Sequence, residues 1–293
     1  MSELDRRGIE YVKARMPVFG VGTYQVRSES VLYDTIDEAL TVGYRLIDTA
    51  QIYRNEHIIG NILPGLLDKH NLKWEDIFIT SKVSPANQGK DKCRKSLLKS
   101  LEDLKTTYLD LILIHWPASS RLNSKHKDNL KLRMETYQVL EELMDEGKVR
   151  AIGVSNYEVK HLEQLLAHSR ILPAVNQCEC HPHFPNELLA RWCKDKGIHF
   201  QTYSSLGGPD YVETLLNDQV IKKIADDHQV TAAVILLAWP LCLGYSTLPR
   251  TEKVERIREN WKATNIVLRE DEMSLIASIP TRHKACWDPS VIA

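Results

Sequence analysis

The sequence predicts an α/β protein built as a closed (β/α)8 barrel, a TIM barrel, in a single domain. Three observations carry this. Short β-rich apolar runs alternate with longer stretches of helical spacing, the alternation repeats about eight times in 293 residues, and polar residues gather at the C-terminal ends of the runs. The strand candidates are 16–22, 45–49, 77–82, 109–115, 149–155, 174–179, 199–204 and 245–249. Helical spacing follows in turn at Val31, Ile36, Ala39 and Leu40; at Ile58, Ile59, Ile62 and Leu66; at Leu97, Leu101 and Leu104; and at Tyr137, Leu140 and Leu143. It continues at Val159, Leu162 and Leu165, at Leu188, Leu189 and Trp192, at Ile221, Ile224 and Ala225, and at Val254, Ile257 and Trp261.

Residues 1–15 are expected to form a short hairpin or arm that closes one end of the barrel. Insertions at 84–89, 117–129 and 206–213 each follow a predicted strand, and in a barrel such loops lie over the functional face. The tail, 281–293, carries Pro289 and a lone Trp287 and reads as irregular. The competing architecture is an open doubly wound sheet with a glycine-rich dinucleotide turn. The nearest candidate, Gly20-Val21-Gly22-Thr23-Tyr24-Gln25, has glutamine where the third glycine belongs.

Composition narrows the function. Hydrophobic residues make up 43% of the chain, enough for a substantial core, and the net charge is −1 with both signs interspersed. Neither nucleic acid nor a membrane surface is expected as a partner. No apolar run reaches transmembrane length, and six scattered cysteines without a disulfide framework fit a reducing compartment, so the expectation is a cytoplasmic protein.

The polar strand ends carry the chemistry. Asp48 ends the second run, Lys82 the third, His115 the fourth and Ser155-Asn156 the fifth; Gln177 lies in the sixth, and Tyr203 and Ser204 close the seventh. Singly, a histidine beside Trp116 reads as packing and a strand-end lysine as solvated. Together they read as a site, because a barrel brings these ends to one face. Tyr53 follows Asp48 closely, and a carboxylate alone makes a phenol a worse acid. Lys82 supplies the missing cation: held charged by Asp48, it would lower the phenol's pKa toward a working value. His115 would hydrogen-bond a carbonyl oxygen where negative charge develops. No Gly-x-Ser-x-Gly elbow is present, so the set suits proton donation during carbonyl reduction by a hydride donor.

Two further stretches invite ligands. Cys178-Glu179-Cys180-His181-Pro182-His183 suggests a metal, but its spacing does not match a structural zinc site, and no metal is expected. Arg250, Thr251 and Arg256, at a strand end and the following helix start, form a phosphate site suited to a dianionic monoester, as in the 2′-phosphate of NADP. The same stretch also reads as a solvated helix start in which Lys253 and Arg256 pair with Glu252, Glu255 and Glu259.

In order along nearly the whole chain, the segments GVGTY (from Gly20), GYRLIDTAQIYRNE (from Gly43), FITSK (from Phe78), LDLILIHWP (from Leu109), EGKVRAIGVSN (from Glu146), NQCECHP (from Asn176), YSSLG (from Tyr203) and LPRT (from Leu248) resemble the aldo-keto reductases. The resemblance implies a (β/α)8 barrel binding NADPH, with Tyr53 as the acid, Lys82 and Asp48 tuning it and His115 orienting the carbonyl. It implies that Ser155, Asn156 and Gln177 hold the carboxamide, that Tyr203 stacks on the nicotinamide, and that Ser204, Leu206 and Gly208 line the pyrophosphate. It implies too that Gly22, Thr23, Asp48 and Pro249 border the cofactor. Arg250, Thr251 and Arg256 would meet the 2′-phosphate, and Glu259 and Asn260 the adenine. Tyr24 and Trp116, with Tyr53 and His115, would wall the substrate pocket, and the tail would lie near it.

This chain departs from the family at several points. Tyr24 stands where many members have Trp, and Arg250 where many have Lys. Glu252 places a negative charge beside the phosphate site. The expected function is NADPH-dependent reduction of aldehydes and some ketones by a monomer. A specialised sugar or prostanoid reductase is the alternative of the same class, and a non-catalytic NADPH-binding regulatory subunit the alternative of another.

Overall fold

The computed structural model describes residues 4–293. Eight parallel strands pair in sequence order: β1 (Val21–Gly22), β2 (Leu46–Asp48), β3 (Phe78–Val83), β4 (Leu109–Ile114), β5 (Val149–Ser155), β6 (Val175–Glu179), β7 (His199–Tyr203) and β8 (Ser246–Thr247). Thr247 N donates to Val18 O at 2.9 Å and Gly20 N to Thr247 O at 3.1 Å, so the last strand meets the first and the sheet closes. The two seam strands are shorter than the runs at 16–22 and 245–249, because pairing there reduces to Phe19 opposite Thr247. Close strand approach explains one glycine. A side chain on Gly153 in β5 would put its Cβ 2.5 Å from Val175 O of β6.

Helices cover the barrel. The first is α1 (Arg7–Arg15), and α2 (Glu29–Val42), α3 (Glu56–Lys69), α4 (Lys90–Asp103), α5 (Asp128–Asp145), α6 (Val159–Leu166) and α7 (Glu187–Lys196) follow the first six strands. Between β7 and β8 come α8 (Val212–Leu216), α9 (Gln219–His228) and α10 (Ala232–Cys242); after β8 come α11 (Val254–Trp261) and α12 (Glu270–Ala277). The spacing did not disclose α10, since 234–240 are buried all round and leave no polar stripe to set a period.

The N-terminal arm is helical rather than a hairpin. Ile9 and Val12 of α1 are buried, Tyr11 stacks near Phe78 and donates from its hydroxyl to Asp110 Oδ1 at 2.6 Å, and Gly8 lies against Ala151. The helix thus packs on the early residues of β3, β4 and β5, at the end of the barrel away from the polar strand ends. The tail has one short 3-10 turn, Pro289–Val291, and is tied down along its length. Ser124 O accepts from Ala293 N, Arg133 donates to Ala293 O at 2.8 Å, and Ile292 is buried. No helix among the described residues is long and apolar enough to cross a membrane.

Candidate active site

At the C-terminal lip of the barrel, β2 and β3 deliver Asp48 and Lys82 to the same point. Lys82 is fully buried; its Nζ donates to Asp48 Oδ1 at 2.5 Å and to Thr49 O at 2.9 Å, and lies 3.3 Å from the Tyr53 hydroxyl. Tyr53 sits on a 3-10 turn, Gln51–Tyr53, that begins just past β2. The turn is held in place by Asn55, whose side chain donates to Thr23 O and Val26 O and accepts from Thr49. His115 immediately follows β4, with its ring 5.6 Å from that of Tyr53 and edge-on to it. The predicted four residues therefore converge.

Electrostatics separate their states. Burial, then Asp48 and the neighbouring Tyr24, hold the Tyr53 phenol well above its ordinary pKa. Burial first, and then the Asp48 charge, outweigh the lowering expected from Lys82, so the net shift is upward. The phenol is neutral and carries a proton. Burial lowers Lys82, opposed by Asp48 and more weakly by Glu56. Burial and then Lys82 hold His115 well below its ordinary value, so its imidazole is neutral; its Nδ1 is buried without a hydrogen-bond partner.

A polar band continues round the lip. Gln177 donates to Asp48 Oδ2 at 2.9 Å and to Gln201 Oε1 at 2.8 Å, and Ser155 Oγ donates to Gln177 O at 2.8 Å. Asn156 donates to His115 O at 3.0 Å and accepts from the Tyr203 hydroxyl at 2.6 Å. Asn156 and Ser204 have φ of 63° and 50°, left-handed values at the ends of β5 and β7 that turn the chain sharply where the band needs it. Leu206 and Gly208 follow in the next loop, half-buried, with Gly208 at φ 73°. Tyr24 packs edge-on to Tyr53 at 5.1 Å, and Trp116 stacks beside His115 and meets Trp287 of the tail at 4.9 Å.

On the other side, Gly22 N donates to Pro249 O, and Thr23 donates through both N and Oγ1 to Asp48 O. A Cβ on Gly22 would come within 3.3 Å of Leu248 O, so the floor there is bare backbone. Arg250 donates from Nε to Tyr24 O at 2.9 Å and is ion-paired with Glu252. Thr251 is buried, and its hydroxyl accepts from Lys253 N. Arg256 is exposed in the first turn of α11, with half-buried Glu259 and buried Asn260 three and four residues on, along the same face.

The cysteine–histidine stretch is engaged elsewhere. Cys178 Sγ contacts Asn176, Cys180 Sγ contacts Pro185 O, and His183 bridges the Tyr211 hydroxyl and Asp218. Glu179 is the residue that sequence reasoning passed over. Its carboxylate receives Lys284 at 2.7 Å, Ala285 N at 2.6 Å, Cys286 N at 3.1 Å and His181 at 3.2 Å, which latches the tail to the end of β6. Only the inconspicuous lysine at 284 could have hinted at this partnership.

Comparison with known proteins agrees with this architecture. The model of the aldo/keto reductase family matches residues 18–280. The chain is 38% identical over 264 residues to a glyoxal reductase of Bacillus subtilis, covering 90% of this chain and 89% of that protein. It is 36% identical over 265 residues to a methylglyoxal reductase of Escherichia coli O157:H7, covering 90% and 93%. The crystal structure of an aldo-keto reductase from a deep-sea metagenome library superposes with a TM-score of 0.85 at 35% identity, covering 93% of this chain and 94% of that one. With its eight-stranded barrel and its polar lip, this chain belongs to the aldo/keto reductase family.

Proposed function

We propose that the protein reduces aldehydes and some ketones to alcohols with NADPH, and that Tyr53 delivers the proton. The observation that carries this is the buried chain Asp48–Lys82–Tyr53 beside a neutral His115. A neutral imidazole donates a hydrogen bond to a carbonyl oxygen without competing for the proton that the oxygen must receive. A neutral phenol at the same spot carries that proton. Lys82, 3.3 Å from the phenol oxygen, stabilises the phenolate left behind, and Asp48 keeps Lys82 charged.

The residues present fit a nicotinamide dinucleotide phosphate. The Ser155, Asn156 and Gln177 side chains offer donors and acceptors complementary to a carboxamide, and the Tyr203 ring offers a flat face to a pyridine. The bare backbone at Gly22 and the loop through Ser204, Leu206 and Gly208 admit a pyrophosphate. Arg250, Thr251 and Arg256 suit a 2′-phosphate, and Glu259 and Asn260 an adenine edge. When bound, the dihydronicotinamide supplies the hydride that the carbonyl carbon accepts.

Tyr24, Trp116 and Trp287 give flat apolar walls suited to small and mid-sized hydrophobic or aromatic carbonyl compounds. The names of the two bacterial relatives point to small dicarbonyl aldehydes as the first compounds to try. The six cysteines are unpaired, which suits the cytoplasm, and one chain provides every site residue, so a monomer suffices.

The test follows NADPH consumption across a panel of aldehydes and ketones, with NADH as control, for the wild type and Tyr53→Phe. The variant should lose about 10²–10⁴-fold in kcat while NADPH still quenches its intrinsic fluorescence. Equal turnover in the variant would remove Tyr53 from the mechanism.

A further inference from the structure

Behind the lip, on the far side of β3 from Lys82, lies a buried carboxyl that the reaction described above does not use. Glu56 opens α3 and is 6% exposed. Its Oε1 accepts from Ser81 Oγ at 2.6 Å, and Ser81 is the residue before Lys82. Its Oε2 accepts from Ser100 Oγ of α4 at 3.2 Å. Ser100 in turn receives Gln51 Nε2 at 3.2 Å, and Gln51 begins the turn that carries Tyr53. The other end of the Gln51 amide accepts from Ser84 N at 2.9 Å and Asn87 Nδ2 at 2.8 Å, just beyond the end of β3. One carboxyl thus ties together the two segments whose spacing sets the Lys82–Tyr53 contact.

We propose that Glu56 is a positioning residue: from behind β3 it fixes the Tyr53 turn against the Lys82 strand and adds a second negative charge that favours the ammonium form of Lys82. The inference rests on the reading of Tyr53 and Lys82 given under Proposed function. The mechanical part follows from the hydrogen-bonded path Ser81–Glu56–Ser100–Gln51. The electrical part follows from burial, since a charge held in a medium of low polarity reaches its neighbours with little screening. The charged groups that bear on Glu56 from the packed elements are Lys82 of β3, which favours the carboxylate, and Asp103 of α4, which opposes it. Burial outweighs the hydrogen bonds from Ser81 and Ser100 and brings the Glu56 pKa up to about 7. Its charge therefore changes in the range where the enzyme would work.

The sign is definite. Removing a negative charge near Lys82 and Tyr53 makes both give up protons more readily, so Glu56→Gln should move the alkaline limb of kcat to lower pH, by about half a unit. Glu56→Asp, which keeps the charge, should restore the limb toward its wild-type position. The measurement is kcat against pH with NADPH and a small aldehyde, with NADPH fluorescence quenching as the check that the cofactor site is intact. Should the glutamine variant fail to fold, Ser81→Ala carries the same test. It removes a hydrogen bond that favours the carboxylate, raises the Glu56 pKa, and should move the inflection of kcat near neutrality to higher pH. An unchanged profile in Glu56→Gln, or in Ser81→Ala if that is the variant that folds, overturns the role of Glu56 while leaving Tyr53 and Lys82 in place. A wild-type protein without NADPH-dependent turnover overturns the parent reading and this one with it.

Discussion

Replacing Asp48 by Asn removes a charge from the centre of the site while leaving its shape almost untouched. In the wild type, Oδ1 of Asp48 accepts from Lys82 at 2.5 Å and Oδ2 from Gln177 at 2.9 Å. A carboxamide offers one acceptor and one donor, so either Lys82 or Gln177 must then face an N–H. Gln177 retains Gln201 as an acceptor, whereas fully buried Lys82 retains Thr49 O and no carboxylate in contact. Removing one partner of a buried ion pair costs about 3–5 kcal/mol, and Asp48→Asn should lose stability on that scale at pH 7. The lysine can escape part of this cost by giving up its proton. Burial already lowers its pKa, and Asp48 is the leading influence that opposes burial. With a folded pKa below the unfolded one, the unfolded chain binds more protons, so the variant's stability rises with pH up to the unfolded lysine value, and more steeply than the wild type's. Urea unfolding of both proteins at pH 7 and pH 9 measures the two effects. A variant within about 1 kcal/mol of the wild type, far below the cost of a broken buried pair, with the same pH slope, would refute the placement of a buried charged lysine on Asp48.

Three other outcomes follow from the geometry. Arg256→Ala should weaken NADPH by about 10–100-fold, the worth of a charge-assisted phosphate contact, and barely change NADH; equal losses measured by fluorescence titration would dismiss the 2′-phosphate assignment. Glu252→Gln frees Arg250 from its ion pair and should tighten NADPH by a few-fold, about what an exposed pair is worth, without helping NADH. The Glu179 latch is sensitive to acid. Burial alone would raise the Glu179 pKa, but hydrogen bonds from His181 and Lys284 outweigh it and bring it to about 2. The stability it contributes is complete above the ordinary glutamate value and is lost as pH falls toward 2. The protection factors of the amides of residues 284–287, taken against the intrinsic exchange rate at each pH, should therefore fall between pH 4.5, the ordinary glutamate value, and pH 2, and protection unchanged across that window would contradict the latch.

The residues themselves declared much of this protein. Strand and helix alternate because short apolar runs, buried on both faces as in β3 and β4, give way to stretches of 3.6 spacing, and an eightfold repeat of that switch admits few closed arrangements besides a barrel. The barrel sends its strand ends to one face, so Asp48, Lys82, His115, Ser155 and Gln177 could be grouped from their positions in the runs alone. Where local pattern is absent, the chain was illegible. Nothing periodic marks α10, which is apolar on every side, and the short amphipathic α1 was taken for an arm.

Tertiary structure alone decided the contacts between segments remote in sequence. Glu179 grips the tail 105 residues away, and Ser100 reaches Glu56 across 44. Burial was decided there too, and with it the state of the site. Lys82, held charged by Asp48, had been expected to make Tyr53 more acidic; Asp48 does contact the ammonium, but packing buries the phenol, and that burial holds Tyr53 neutral. A sequence names the charged groups; only folding settles how far each stands from water and from its partner, and those two quantities determine which group keeps its proton.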